Sequence, residues 1–169
     1  MFTLIDVSFI IKKHYDTLLR DAKLRFIIFL FIVIPLVASI FFIKNDKLLT
    51  QDSVNALITA FAIFTGLLLN VIFILFDIVG KVKGNTTHAN NRRLLLEHLY
   101  ANTLYALLVS AITLIFLIIT TITEIWQNNS ILLILSSIVY FGGAHFMMTL
   151  LMIFNRLSIL LFSQLERED

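Results

Sequence analysis

The sequence contains no cysteine and has little proline, glycine or charge. Its 169 residues include one proline and five glycines, and the charged residues make up 14%. The lack of cysteine excludes disulfide bonds, thiolate metal sites and a cysteine nucleophile. Soluble domains carry about 25% charged residues, so this chain has too few to cover the surface of a water-soluble domain of its size.

Apolar residues are abundant, at 59%, and are concentrated in four long runs. The runs cover residues 26–43, 53–77, 99–123 and 131–155. Each run has close to the ~20 helical residues that cross about 30 Å of hydrocarbon. The sequence therefore predicts an all-α, polytopic membrane protein with four transmembrane helices in one domain, residues 1–169. Pro35, within the first run, removes a backbone donor and is expected to kink that helix.

The N-terminal residues, 1–25, have the pattern of an amphipathic helix. Apolar side chains recur on one side at helical spacing, namely Leu4, Val7, Ile11, Leu18 and Ala22. This pattern predicts an interfacial helix that lies on the membrane surface. A docking surface for a partner is the alternative.

The basic residues predict the orientation in the membrane. All 13 lysines and arginines except Lys44 and Lys47 precede the first run, lie in the connection 80–98, or lie in the tail 156–169. By the positive-inside rule these segments are cytoplasmic. Both termini are therefore expected in the cytoplasm.

The second run carries a line of small and polar residues at spacings of three or four. Its members are Asn55, Thr59, Ala62, Gly66, Asn70, Phe73 and Asp77. Such a line occupies one face of a helix and either permits tight helix packing or lines a water-filled path. Because four helices cannot enclose a wide pore, the pore interpretation requires a homo-oligomer, for instance a tetramer. The third and fourth runs show similar but weaker lines.

His145 is the ionisable side chain deep within a run. It is expected to be neutral and bonded to a neighbouring helix, or to act as a pH-sensitive gate, since its reference pKa is about 6.5. One histidine does not make a metal site, and no metal or cofactor is expected. No catalytic motif occurs in the sequence, so an enzyme is not expected.

Four basic residues lie close together in or beside the connection between the second and third runs: Lys81, Lys83, Arg92 and Arg93. One interpretation is that they orient the chain in the membrane and attract anionic lipid. The alternative is that they form an anion-binding site. In a symmetric oligomer their copies would converge and would favour nucleotides or short nucleic acids.

Residues 56–79 and 92–110 resemble small four-span bacterial proteins encoded in anti-phage defence operons. Among these the chain is most similar to the channel subunit of the Hailong type. The resemblance implies an oligomeric ion channel in the bacterial inner membrane, kept closed by a single-stranded DNA signal. It also implies a partner nucleotidyltransferase that makes this signal, and depolarisation of the cell when the channel opens. Lys81, Lys83, Arg92 and Arg93 would then be the candidate signal-binding residues.

These patterns predict a homo-oligomeric membrane channel effector gated by a cytoplasmic anionic signal. The alternative is a non-conducting membrane anchor or scaffold subunit that holds a cytoplasmic partner at the inner leaflet. The anchor would use the amphipathic N-terminus and the basic connection, and its polar lines would serve packing alone.

Overall fold

The computed structural model of the protein describes residues 7–21, 23–45, 47–81, 87–122, 125–126 and 128–165. Helix α1 covers Val7–Asp21 and is followed by four longer helices. These are span one (Leu24–Lys44), span two (Gln51–Lys81), span three (Thr87–Thr120) and span four (Asn129–Leu165). No strand occurs among the described residues, and all four long helices are apolar enough to cross a membrane. The predicted all-α, polytopic membrane fold is confirmed.

The spans stand side by side in the order one, four, three, two. Span one packs on span four and contacts neither of the other spans through its backbone, and span two packs on span three at the other edge. Gly142 permits the close approach of spans three and four, because a Cβ there would lie 2.6 Å from Thr113 Oγ1. The central spans three and four therefore hold most of the fully buried side chains, and spans one and two each leave a broad face uncovered.

The two ends of the bundle differ in charge. One end, here called the basic end, contains α1, the junction between spans two and three, and Arg156 of span four. The opposite end contains the turn between spans one and two, where the backbone N–H of Leu49 donates to Ser136 Oγ (3.1 Å). The Tyr140 hydroxyl donates to the carbonyl of Lys47 there (2.7 Å).

Span one is interrupted by a π-helical turn over Phe29–Val33, directly before the segment that contains Pro35. In an α-helix the carbonyl of residue 31 accepts from the N–H of residue 35, and proline has no N–H. The Phe31 carbonyl receives its hydrogen bond from span four, where His145 Nδ1–H donates to it (2.7 Å). The hydroxyl of Tyr105 in span three donates to His145 Nε2 (2.8 Å). Three spans are thus joined through one imidazole ring.

Helix α1 does not pack through the apolar face that its sequence predicts. Of the five residues on that face only Leu18 is buried, Val7 and Ile11 are exposed, and Leu4 and Ala22 lie outside the described residues. The packed face instead contains His14 and Thr17 beside Leu18, and it lies against span three. The polar face turns inward because Asn102 of span three, itself fully buried, needs hydrogen-bond partners.

The predicted connection 80–98 and the predicted tail 156–169 are largely helical. Span two continues to Lys81, span three begins at Thr87, and span four continues to Leu165. Neither segment has proline, so nothing in the backbone ends these helices at the membrane surface. Residues 82–86 and 166–169 lie outside the described residues. Arg156, predicted as the start of the tail, is therefore a buried helical residue.

We predict that the His145–Phe31 hydrogen bond and the proline are energetically coupled. His145→Leu leaves the Phe31 carbonyl without its donor and should lower the free energy of unfolding by about 0.6–2 kcal/mol. Pro35→Ala returns a backbone N–H to that carbonyl, so the same histidine substitution should cost about 1 kcal/mol less in the Pro35→Ala background. The free energy of unfolding is measured in mixed detergent micelles for four proteins: the wild type, His145→Leu, Pro35→Ala and the double variant. Equal costs in both backgrounds would contradict the coupling.

Candidate functional site

Span two packs against its neighbours with its apolar face. Its buried residues are Val54, Phe61, Leu68, Ile72 and Leu75. The Phe61 ring lies 5.0 Å from that of Phe146 in span four, and Thr65 Oγ1 lies 3.1 Å from Ser110 Oγ in span three. The packing of span two within the chain therefore does not use its line of small and polar residues.

That line is exposed along its whole length. Its seven members, which we call the polar stripe, are all exposed in the isolated chain: Asn55, Thr59, Ala62, Gly66, Asn70, Phe73 and Asp77. Two residues along an α-helix turn it by about 200°, so Gly66 and the buried Leu68 lie on opposite sides. Apart from the adjacent residues and the backbone of its own helix, no atom of the described residues lies within 4 Å of a Cβ built on Gly66. The sequence thus predicted the members of one face, and the tertiary structure places that face outward.

Of the stripe residues, Asn70 would have the highest free-energy cost if it were in contact with lipid. Its side chain makes no hydrogen bond within the part of the chain that the structure describes. Thr59, by contrast, donates to the carbonyl of Asn55 (3.0 Å) and satisfies its own hydroxyl. Asn70 lies about four residues, or ~6 Å, from the middle of the helix, which is well inside the hydrocarbon layer. A polar amide at that depth requires water or a polar partner.

The polar lines of spans three and four have a different role. Asn102, Ser110, Thr113 and Thr120 of span three are buried within the chain, as are His145, Thr149 and Arg156 of span four. Thr113 lies at the close contact of spans three and four, Asn102 bonds α1, Ser110 bonds span two and His145 bonds span one. Helix packing explains these two lines without a pore, whereas it does not explain the polar stripe of span two inside one chain.

No family model, curated protein or solved structure matches this chain. Its function therefore has to be inferred from the geometry of its own residues. The exposed polar stripe and the contacts of the basic end are the features that bear on it.

His145 lies in the junction of spans one, three and four, and not on the polar stripe. Because a carbonyl only accepts, His145 Nδ1 carries the hydrogen, and in the neutral ring Nε2 accepts from Tyr105. Both ring nitrogens are therefore bonded, as expected for a histidine that joins helices. Its role as a pH-sensitive gate stays a prediction.

The four predicted anion-binding residues lie around the junction of spans two and three. Lys81 is the last residue of span two, Arg92 and Arg93 lie in the first turns of span three, and the Arg93 side chain is exposed. Lys83 lies outside the described residues. Lys13 of α1 forms an ion pair with Glu97, one turn further along span three, so α1 adds cationic residues to this end.

A contact that the sequence did not predict joins α1 to span three. His14 Nδ1–H donates to Asn102 Oδ1 (2.8 Å), and the His14 ring stacks on Tyr105 with centroids 3.7 Å apart and planes 6° apart. His14 Nε2 and Asn102 Nδ2 have no hydrogen-bond partner among the described residues. The one sequence signal for this contact was a histidine and a threonine three residues apart in an otherwise amphipathic helix.

The contact depends on pH through His14. Burial lowers the pKa of His14 to about 3, and the nearby His145 and Arg156 act in the same direction, although the hydrogen bond that His14 donates to Asn102 acts in the opposite direction. Above pH 6.5 the ring is neutral whether α1 is packed or released. Below pH 6.5 the released helix takes up a proton and the packed helix does not. Packing of α1 therefore weakens as the pH falls from about 6.5 towards 3.

We predict that acid releases α1 from span three. At pH 5 the uptake of a proton by the released His14 should weaken the contact by about 2 kcal/mol relative to pH 7.5. The chain has no cysteine of its own, so spin labels can be attached to two introduced cysteines, Lys12→Cys and Leu94→Cys. Both positions are exposed. The distance distribution should broaden at pH 5, and His14→Gln should remove the pH response. Broadening that persists in His14→Gln would assign the response to other groups, such as the Lys13–Glu97 pair or His98.

Proposed function

We propose that this chain forms a homo-oligomeric membrane channel in which the polar stripe of span two lines the conducting path. The observation that supports the proposal is that span two packs inside the chain through apolar side chains and leaves its polar stripe exposed, beside apolar residues such as Leu67 and Ile74. A helix that met only lipid on that side would have no such polar stripe there. A second copy, or water between several copies, would give Asn70 the polar surroundings that it needs.

The position of span two in the bundle supports the same proposal. It is the edge helix of the row, in contact with span three on one side, so its exposed face is free to meet other copies. The stripe runs from Asn55 near one end to Asp77 near the other, about 33 Å along the axis, which is a full membrane thickness. In a closed ring of copies it would form a continuous polar surface.

The basic end supports regulation by an anionic ligand. In a ring of chains Lys81, Lys83, Arg92 and Arg93 of every copy would gather beside the end of the stripe that holds Asp77. Such a cluster attracts polyanions through the charge on their backbones, including nucleotides and short single-stranded DNA. A channel effector of anti-phage defence, located in the bacterial inner membrane with cytoplasmic termini and controlled by a nucleotidyltransferase product, fits this arrangement.

A non-conducting anchor or scaffold is the second candidate, and α1 favours it. With its polar face packed against span three, α1 presents Phe9 and Leu19 outward, at 61% and 50% exposure. These side chains would enter the membrane interface or meet a cytoplasmic partner. In this role the stripe would serve only to pack copies or partner helices together.

We predict that Asn70→Leu lowers ion flux through the assembled protein about tenfold or more, because it removes the polar group deepest in the stripe. Flux is measured in liposomes that contain the purified chain, and the size of the assembly is measured in parallel. The fold of one chain should persist, since Asn70 makes no hydrogen bond within the described residues. Unchanged flux would contradict the assignment of the stripe to the conducting path.

A matched pair of variants tests the assembly. Gly66→Leu adds bulk at an exposed position that no neighbouring helix among the described residues approaches, so it should leave the fold of one chain intact and change the oligomer or its flux. Ala111→Leu adds similar bulk on an exposed position of span three and should change neither. An oligomer without flux at any pH or voltage, in the wild-type chain, would favour the scaffold.

We predict that Arg92→Glu with Arg93→Glu weakens binding of short single-stranded DNA at least tenfold at low salt, because two cationic contacts become repulsive in every copy. Binding is measured by fluorescence anisotropy over a range of salt concentrations. Lys44→Glu with Lys47→Glu, at the opposite end, is the control and should have no effect. Equal affinity and equal salt dependence for the wild type and the Arg92–Arg93 variant would rule out this site.

A further inference from the structure

An apolar groove leads from the outer surface of the bundle to Arg156. Its volume is about 380 Å³, and it lies between α1, span one and span four. The residues that line it are Leu18, Phe26, Ile27, Leu30, Phe31, Met148, Leu151, Met152, Asn155 and Arg156. Every one of them is apolar except Asn155 and Arg156, which are adjacent at one end.

The floor of the groove is well packed and its rim is open. Leu18, Ile27 and Phe31 form a buried cluster beneath it. Phe26 and Leu151 at the rim are 57% and 62% exposed, so the groove opens towards the lipid. Met148 and Met152 form part of the wall, and their flexible side chains adapt to the shape of an apolar ligand.

The dimensions and the depth of the groove match one leaflet of a bilayer. From Met148 to Arg156 span four rises by eight residues, or about 12 Å, whereas half of the hydrocarbon layer is about 15 Å thick. Arg156 therefore lies at the level where lipid phosphates begin, on the side of the basic end. An acyl chain laid along the groove would bring its headgroup to this residue.

The charge at the end of the groove selects the headgroup. Arg156 is 6% exposed and is the one charged residue among the described residues of the lining. A guanidinium binds phosphate oxygens with two parallel hydrogen bonds. Arg25, exposed and next in sequence to Phe26 of the rim, adds a second cation nearby.

We propose that this groove binds one anionic phospholipid per chain, with an acyl chain on the Leu18–Ile27–Phe31 floor and the phosphate on Arg156. The lipid would fill the space between α1, span one and span four, and would hold these three elements together at the basic end. The proposal does not depend on the channel function, because the groove lies on the opposite edge of the row from span two.

Native mass spectrometry of the full chain, purified in detergent and freed of lipid, tests the proposal. The probes are palmitoyl-oleoyl phosphatidylglycerol, the phosphatidylcholine with the same chains, and glycerol 3-phosphate as the headgroup without chains. We expect one phosphatidylglycerol per chain, bound about fivefold more tightly than phosphatidylcholine, as one basic contact of ~1 kcal/mol gives. Glycerol 3-phosphate should not bind. Equal affinity for the two lipids, or binding of glycerol 3-phosphate alone, would overturn the proposal.

Three variants separate the two parts of the site. Arg156→Gln should abolish the preference for phosphatidylglycerol while a lipid still binds, and Met152→Trp should lower the binding of both lipids because the indole fills the groove. Lys12→Gln, which removes an exposed cation at the same end, should leave the preference unchanged. If Lys12→Gln and Arg156→Gln lower the preference for phosphatidylglycerol equally, the preference arises from a general attraction between the basic end and anionic lipid. That result would overturn the proposal. If Arg156→Gln does not fold, undiminished lipid binding by Met152→Trp would still overturn it.

Discussion

The arrangement of the spans depends on a carbonyl group that its own helix cannot satisfy. Pro35 deprives the Phe31 carbonyl of its usual donor in the middle of an apolar layer, where no water is available to replace it. His145 of span four supplies the hydrogen bond, and Tyr105 of span three orients the imidazole. The same Tyr105 ring is the surface on which His14 of α1 stacks. Four of the five helices therefore meet at one polar junction, and span two alone takes no part in it.

The exclusion of span two from this junction bears on function. Hydrogen bonds of the junction join spans one, three and four. Span two is attached by apolar contacts, including Phe61 against Phe146, and by the Thr65–Ser110 hydrogen bond. The amide of Asn70, on its exposed stripe, has no hydrogen-bond partner among the described residues. In a membrane such residues are kept only where they meet each other across copies or face water. The fold of one chain is in this sense incomplete along one edge, and the proposed oligomer is the arrangement that completes it.

At the basic end, helix α1 is held less firmly than the spans are. The packed face of α1 is polar, and it leaves His14 Nε2 and Asn102 Nδ2 buried without partners among the described residues. Each such atom costs about 1–3 kcal/mol, which offsets much of what the stacking and the hydrogen bond contribute. Helix α1 is therefore the element that we expect to separate most easily. It lies beside both the proposed lipid groove and the cationic residues at the start of span three, so its release would alter both surfaces.

Apolar run length and helical periodicity are local properties of the chain, and they were enough to predict the class of fold, the number of spans and the residues that share each helical face. The sequence also identified Pro35 and His145 as exceptional residues. That these two residues meet, that α1 packs through His14 and not through Val7, and that the stripe through Asn70 faces outward followed from the packing of the helices. Those outcomes depend on which helices are neighbours. Periodicity shows which residues share a face, but the packing of the whole chain decides what that face meets.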